Sequence, residues 1–273
     1  MNPFRHLLKA AGHHPPVGTW IMSASAIVAE AVGHAGFDWG VIDMEHAPAD
    51  LMEVVQLLQA VGNTKLVPVV RVPWNEPVTV KRVLDAGAQT VMFPFVQSVD
   101  EARRAVAATR YPPQGQRGMS GMSRASKYGT LPGYLKQADA GIAVILQLES
   151  AAALAALEDI AAVDGVDALF IGPADLSASM GHVGQLTHPA VMQAMGDAVQ
   201  RCKALGMPVG TLGAAPDTVA QYRAMGFDYL AVGSDIGLLM HGAQSAVHAL
   251  RTPGGEVHVH SLTGGTRTES SAA

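Results

Sequence analysis

Cysteine occurs once in this chain, at Cys202, so no internal disulfide can form and nothing calls for an oxidising compartment. Cys202 reads as a small core residue on a helix. Charge is sparse, at 15% of residues, and aromatics make up only 5%. There is no basic run to neutralise phosphates, and the net charge is -5, which excludes a nucleic-acid partner. No apolar stretch reaches the roughly 18 residues of a membrane span. The opening MNPFRHLLKAAGHHPP is too short and too punctuated by His and Pro for a signal peptide. The expectation is a cytoplasmic protein with no membrane partner. With 49% hydrophobic residues and so few charges, much apolar surface needs cover, which favours an oligomer over a monomer.

What is present repeats in two beats. Short apolar runs recur at 17 to 23, 39 to 44, 65 to 72, 89 to 96, 142 to 150, 167 to 174, 207 to 214 and 229 to 235. Between them lie segments with apolar residues at helical spacing, such as ADLMEVVQLLQAVG and PAVMQAMGDAVQRCKALG, and many end in Gly, which suits a left-handed helix stop. Strands that are apolar throughout are covered on both faces, as in a parallel sheet wrapped by helices. Eight alternations in 273 residues match the roughly 250 of a single (β/α)8 TIM barrel. No dinucleotide fingerprint follows the first strand, which argues against an open doubly wound sheet. The domain reading is one barrel over 1–251 and a mobile tail over 252–273, where His258 and His260 are taken as solvated. The polar stretch YPPQGQRGMSGMSRASKYGT, 111 to 130, is long for a barrel loop and reads as a lid or subunit contact.

A barrel keeps its chemistry at the C-terminal ends of its strands, where side chains converge on one mouth. There the second strand supplies Asp43, Glu45 and His46, the third Arg71, the fifth Gln147 and Glu149, and the sixth Asp175. Any one of these has a structural explanation, but a purely structural polar group has no reason to prefer one end. Glu149 and Asp175 are hard oxygen donors, suited to Mg2+, Mn2+ or Co2+ over a thiolate-bound zinc. Two protein ligands leave positions open for substrate. Arg71 is expected to leave the mouth slightly positive, which suits an anion such as a 2-oxo acid. The turn Gly172, Pro173, Ala174, Asp175 lets backbone approach such a ligand. His46 with Asp43 nearby reads as a general base tuned by a carboxylate, and Glu45 as a hydrogen-bonding neighbour.

The segments GFDWGVIDMEHAP, VVRVPWNEP, LDAGAQTVMFPFVQSVDEARRAVAATRYPPQGQRG, QLES, FIGPADLSASMG and VGSDIGLL together resemble the metal-dependent 4-hydroxy-2-oxoheptanedioate aldolases. These are class II pyruvate aldolases of the phosphoenolpyruvate/pyruvate barrel superfamily, and the match runs from about Pro16 to Arg251. The resemblance implies a carbon–carbon lyase that reversibly cleaves 4-hydroxy-2-oxo acids, such as 4-hydroxy-2-oxoheptanedioate or a 2-keto-3-deoxy sugar acid, into pyruvate and an aldehyde. It implies Glu149 and Asp175 as metal ligands, His46 with Asp43 as the base dyad, and Arg71 at the pyruvate oxygen. It implies Gln147 beside the metal, and the backbone of Gly172, Pro173, Ala174 and Asp175 as the receiver of the pyruvate carboxylate. It further implies a hexamer in which the last helix packs on a neighbouring barrel.

Three rivals follow from the same residues. A Schiff-base aldolase needs a desolvated lysine; of Lys9, Lys65, Lys81, Lys127, Lys136 and Lys203 only Lys65 touches an apolar run, at its polar start, and none sits inside one or at its C-terminal end. An acyl-CoA hydroxy-acid lyase of the same superfamily needs cations at the mouth, for which only Arg117, Arg124 and Lys127 offer themselves. A non-catalytic 2-oxo-acid-binding barrel has no use for His46. Arg117 and Arg124 are also candidates to reach the distal carboxylate of a dicarboxylic substrate.

Overall fold

All eight apolar runs are strands in the computed structural model, which describes residues 2–12 and 14–251. They are β1 Val17–Ile21, β2 Trp39–Asp43, β3 Val67–Arg71, β4 Thr90–Phe93, β5 Ala143–Leu148, β6 Ala168–Ile171, β7 Val209–Gly213 and β8 Tyr229–Ser234. Every pair of neighbours is parallel, and β8 pairs with β1 to close the barrel in the order β1 to β8. The chain is a (β/α)8 TIM barrel. Residues Met1–Ile236 make one compact unit, and a second begins at Gly237, within the helix Asp235–Arg251. The tail reading at 252–273, with His258 and His260, lies outside the described residues.

The period-two alternation of strand side chains divides the core in two. Ile42, Val70, Val144, Leu146, Leu169, Ile171 and Leu230 pack outward with helical residues such as Leu57, Val83, Val106, Leu157 and Val199. Trp20, Trp39, Val41, Val69, Met92, Ile145, Phe170, Tyr229 and Ala231 fill the barrel interior. Trp39 and Tyr229 meet edge to face at 5.4 Å, and Trp20 lies 5.4 Å from Phe170. Rings this large fit only because Gly18 and Gly210 have no side chain. A Cβ on either would collide with Trp39 or Tyr229.

The N-terminal end of the barrel is closed by a helix absent from the sequence reading, Pro3–Ala10. Asn2 caps it by accepting from the Phe4 and Arg5 N–H groups, and its amide donates to Gln89 O and Gly141 O. Phe4 then seals the interior against Tyr229 at 5.3 Å. A recurring aspartate fastens the strand starts at the same end. Asp38, Asp167 and Asp228 directly precede β2, β6 and β8, and their carboxylates accept from amides at the start of the preceding strands, Val17 (2.8 Å), Val144 (2.8 Å) and Val209 (2.9 Å).

The stretch 111–130 also belongs to this end in the single chain, which corrects its reading as a lid. Ala125 N–H donates to Asp85 O, and Arg124 donates to Ala86 O, just before β4 begins. Arg117 is buried beneath the surface, donating to Asp85 at 3.0 Å and to the Tyr134 hydroxyl, with its guanidinium 4.7 Å over the Tyr111 ring. Neither arginine reaches the C-terminal mouth of its own barrel, because each is spent as an anchor for the loop. No helix among the described residues is long and apolar enough to cross a membrane.

Candidate active site

The alternation that fills the barrel with apolar side chains also delivers the polar ones. Inward positions run Trp39, Val41, Asp43 on β2, Val69, Arg71 on β3, Ile145, Gln147 on β5 with Glu149 just past its end, and Ala168, Phe170 on β6 with Gly172 just past its end. In each case apolar residues occupy the interior, and the chemistry-bearing residue comes last. Asp43 is fully buried and Glu149 is 2% exposed.

Register places Asp43 directly opposite Arg71, and the pair forms a two-point contact, Nε to Oδ1 at 2.9 Å and Nη2 to Oδ2 at 2.8 Å. Such a fork fixes the guanidinium plane as well as its position. The third nitrogen, Nη1, lies 2.8 Å from Glu45 Oε2, a charge contact whose alignment falls short of a hydrogen bond. The guanidinium also sits 5.6 Å over the Trp20 ring. Burial works against the Arg71 charge, and the carboxylates, Asp43 foremost, outweigh it and raise its pKa.

Two expectations need correction here. Asp43 is not hydrogen-bonded to His46: its Oδ1 accepts from Arg71 Nε and the Glu45 N–H, its Oδ2 accepts from Arg71 Nη2, and His46 lies beyond the strand with its side chain 62% exposed. The carboxylate facing His46 is that of Glu45, with Oε1 at 3.8 Å from Nε2. The charge count also changes, because four carboxylates (Asp43, Glu45, Glu149, Asp175) share the mouth with one guanidinium that two of them already engage. The slightly positive mouth expected from the sequence counted a divalent ion with two carboxylates; with four carboxylates the mouth is negative before any ion is counted and stays slightly negative with one.

Glu149 is held from both sides. Gln147 Nε2 donates to Oε2 at 2.5 Å, and the Phe95 N–H donates to Oε1 at 2.9 Å. Gly172 is obligatory beside it, since a Cβ there would strike Glu149 Oε2. Asp175 lies in the first turn of the helix Pro173–Ser179, exposed, and near enough for its charge to act on Glu149 and Glu45. Burial, with Asp175 and Glu45 adding repulsion, pushes the Glu149 carboxyl up to about 7, against the two hydrogen bonds. Burial likewise raises Glu45, and Arg71 opposes it.

The chemistry of this site suits a cation. Gln147 Oε1 is buried without a partner, and the carboxylates repel one another in a desolvated space. All the acceptors are hard oxygens. The donor set therefore fits a divalent ion of the Mg2+, Mn2+ or Co2+ type, with substrate and water completing the sphere. Among the described residues no three His, Cys, Asp or Glu side chains converge on one point. No lysine lies on a strand or at a strand's C-terminal end. Cys202 is buried in the helix Pro189–Leu205, where burial pushes its thiol up to about 12, so it is a core residue. The sequence offered no signal for Phe95, whose contribution is a backbone N–H, nor for the Glu45–Arg71 contact.

Known proteins are similar to this chain over most of its length. A 2-dehydro-3,6-dideoxy-6-sulfogluconate aldolase from Pseudomonas putida is 50% identical over 86% of this chain and 92% of its own. A 4-hydroxy-2-oxo-heptane-1,7-dioate aldolase from Salmonella dublin is 45% identical over 89% of this chain and 92% of its own. The crystal structure of an HpcH/HpaI aldolase/citrate lyase family protein from Burkholderia cenocepacia J2315 superposes with a TM-score of 0.89 at 43% identity, covering 92% of this chain and 100% of that one. The family model for HpcH/HpaI aldolase/citrate lyase matches residues 17–242, from the first barrel strand into the last helix. The chain belongs to the HpcH/HpaI aldolase/citrate lyase family.

Proposed function

We propose that this chain is a class II pyruvate aldolase, which reversibly cleaves 4-hydroxy-2-oxo acids into pyruvate and an aldehyde. The observation that carries the reading is the mouth itself: Glu149, held by Gln147 and the Phe95 N–H and pushed up to about 7 chiefly by burial, shares it with an arginine fixed in plane by Asp43. The names of relatives support it, since they include a pyruvate aldolase from Rhizobium etli, 45% identical over 90% of this chain, besides the two aldolases above.

Glu149 and Asp175 would hold the divalent ion, with Gln147 orienting Glu149. When bound, that ion supplies Lewis-acid polarisation of the substrate's 2-oxo group. His46, exposed at the mouth, takes the proton from the 4-hydroxyl, directly or through one water. The C3–C4 bond then breaks, its electron pair enters the pyruvate enolate, and the aldehyde leaves. Arg71, which Asp43 and Glu45 keep aimed, stabilises negative charge at the 2-oxo oxygen. The backbone of Gly172, Pro173, Ala174 and Asp175 receives the carboxylate. A proton delivered to C3 completes pyruvate.

The acyl-CoA lyase reading required Arg117, Arg124 and Lys127 beside the mouth, and in this chain their loop packs at the opposite end. The setting is cytoplasmic and the assembly a hexamer, in which Leu238, Leu239, Met240, Val247 and Leu250 of the last helix, exposed in the single chain, pack on a neighbouring barrel.

The test is pyruvate release from racemic 4-hydroxy-2-oxoheptanedioate and from a 2-keto-3-deoxy sugar acid. Protein stripped with EDTA should release none, repletion with Mg2+, Mn2+ or Co2+ should restore release, and borohydride added with pyruvate should leave it intact. No release with any ion, while pyruvate still binds, would overturn the proposal.

A further inference from the structure

Phe95 is one of four non-glycine residues with positive φ among the described residues, at 54°, and it is the one whose backbone touches the candidate site. A side chain is disfavoured in this left-handed region, and glycine would hold the same turn without strain. The turn has a use: Phe95 N–H donates to Glu149 Oε1 at 2.9 Å, and the next amide, Val96 N–H, donates to Gln147 O at 3.1 Å. Consecutive amides thus grip the Glu149 carboxylate and the strand that carries it. What the phenyl ring contributes is a stack on Trp74, with centroids 6.3 Å apart and planes inclined by 26°. Trp74 leaves β3 three residues after Arg71 and is 57% exposed, so it is not a core residue that merely happens to lie nearby. The Glu76 N–H donates to Trp74 O at 2.8 Å and fixes the turn from which the indole projects.

We infer that Trp74 is a positioning residue for Glu149. Its indole holds the Phe95 ring, the ring holds the left-handed turn, and the turn keeps the Phe95 N–H on Oε1. Without that bond only Gln147 restrains the carboxylate, which is then free to rotate away from an ion. The inference rests on the proposed role of Glu149 as a metal ligand. Groups that orient metal ligands typically govern affinity by 10- to 100-fold, and Trp74 acts at one further remove, so an effect of about tenfold is expected.

The experiment measures the Mn2+ dissociation constant of EDTA-stripped protein by the electron paramagnetic resonance of free Mn2+, without substrate, after thermal unfolding has shown each variant folded. Trp74→Ala should weaken Mn2+ binding about tenfold, while Trp74→Phe, which keeps a flat ring, should stay within about threefold of wild type. Adding Phe95→Gly to Trp74→Ala should recover most of the loss, because glycine takes the turn without needing the stack. Trp74→Leu serves with the same threshold if Trp74→Ala does not fold. Binding by Trp74→Ala within twofold of wild type, or a double variant no better than Trp74→Ala, would overturn the inference alone. Wild-type protein that binds no Mn2+ would overturn both it and the function on which it rests.

Discussion

The two ends of the barrel use the same residue type to opposite effect. At the N-terminal end, Asp38, Asp167 and Asp228 each accept from an amide at the start of a neighbouring strand, and Asp167 also pairs with Arg5 at 2.6 Å. Each carboxylate there has a protein donor, and the rings of Phe4, Trp39 and Tyr229 fill the space above. At the C-terminal end, Asp43, Glu45, Glu149 and Asp175 share one arginine, burial raises Glu45 and Glu149, and Gln147 Oε1 is left without a partner. One end spends its acids on joining strands. The other leaves them close together and partly desolvated, at a cost in stability that the rest of the barrel must cover, which is the arrangement the proposed metal site would use.

If that division is real, substitutions at the two ends should separate activity from stability. The largest expected effect is at His46. Its exposed side chain makes no hydrogen bond and contributes to stability only through a weak 3.8 Å contact with Glu45, so His46→Ala should melt within about two degrees of wild type. Loss of a general base typically lowers turnover by about 10²- to 10⁴-fold, and Mn2+ content should stay unchanged. Turnover within threefold of wild type would remove His46 from the mechanism and break the comparison at its most active point.

A second effect, of about 3 kcal/mol, concerns metal-free protein and pH. Glu149 rises from 4.5 to about 7 on folding, chiefly by burial, in the absence of an ion. A group with a raised folded pKa contributes stability below its unfolded value and loses it as pH climbs through the folded one. Metal-free protein should therefore become less stable to urea between pH 5 and pH 8, while Glu149→Gln should flatten that fall. Mn2+ competes with the proton for the same carboxylate, so its stabilising effect should grow over the same interval. A metal-free protein whose stability rises across this range would contradict the picture of mutually repelling acids.

The fold was legible because its signal is periodic. Eight apolar runs became eight strands, and the two-residue period that carries Trp39 and Val41 inward also carries Asp43, just as Ile145 leads to Gln147 and Glu149. A barrel plus an alternation is enough to gather residues from four strands at one mouth. Contacts set by register and loop direction were not legible. Nothing in IDMEHAP says that Asp43 faces Arg71 and leaves His46 to Glu45, because that follows from the pairing of β2 with β3 and from where the strand stops. Nor does the Gly- and Ser-rich composition of 111–130 say that Arg117 turns inward onto Asp85 at the N-terminal end. The helix Pro3–Ala10 was missed because eight residues opening on Pro carry too short a pattern to read.

The smallest expected effect sharpens the comparison from the N-terminal end. Asp228→Ala removes the carboxylate that accepts from Val209 N–H and leaves that amide, at the start of a buried strand, without its side-chain partner. Leaving a buried donor unsatisfied costs about 1–3 kcal/mol, so the melting temperature should fall by roughly 2–8 °C. The mouth lies a strand length away, about 15 Å at 3.3 Å per residue, and shares no hydrogen bond with Asp228. Turnover per folded molecule and Mn2+ affinity should accordingly stay within about twofold, as expected for distant sites without common partners. A clear loss of turnover in folded Asp228→Ala would mean that strand registration at one end sets side-chain placement at the other, so that the two ends form one mechanical unit.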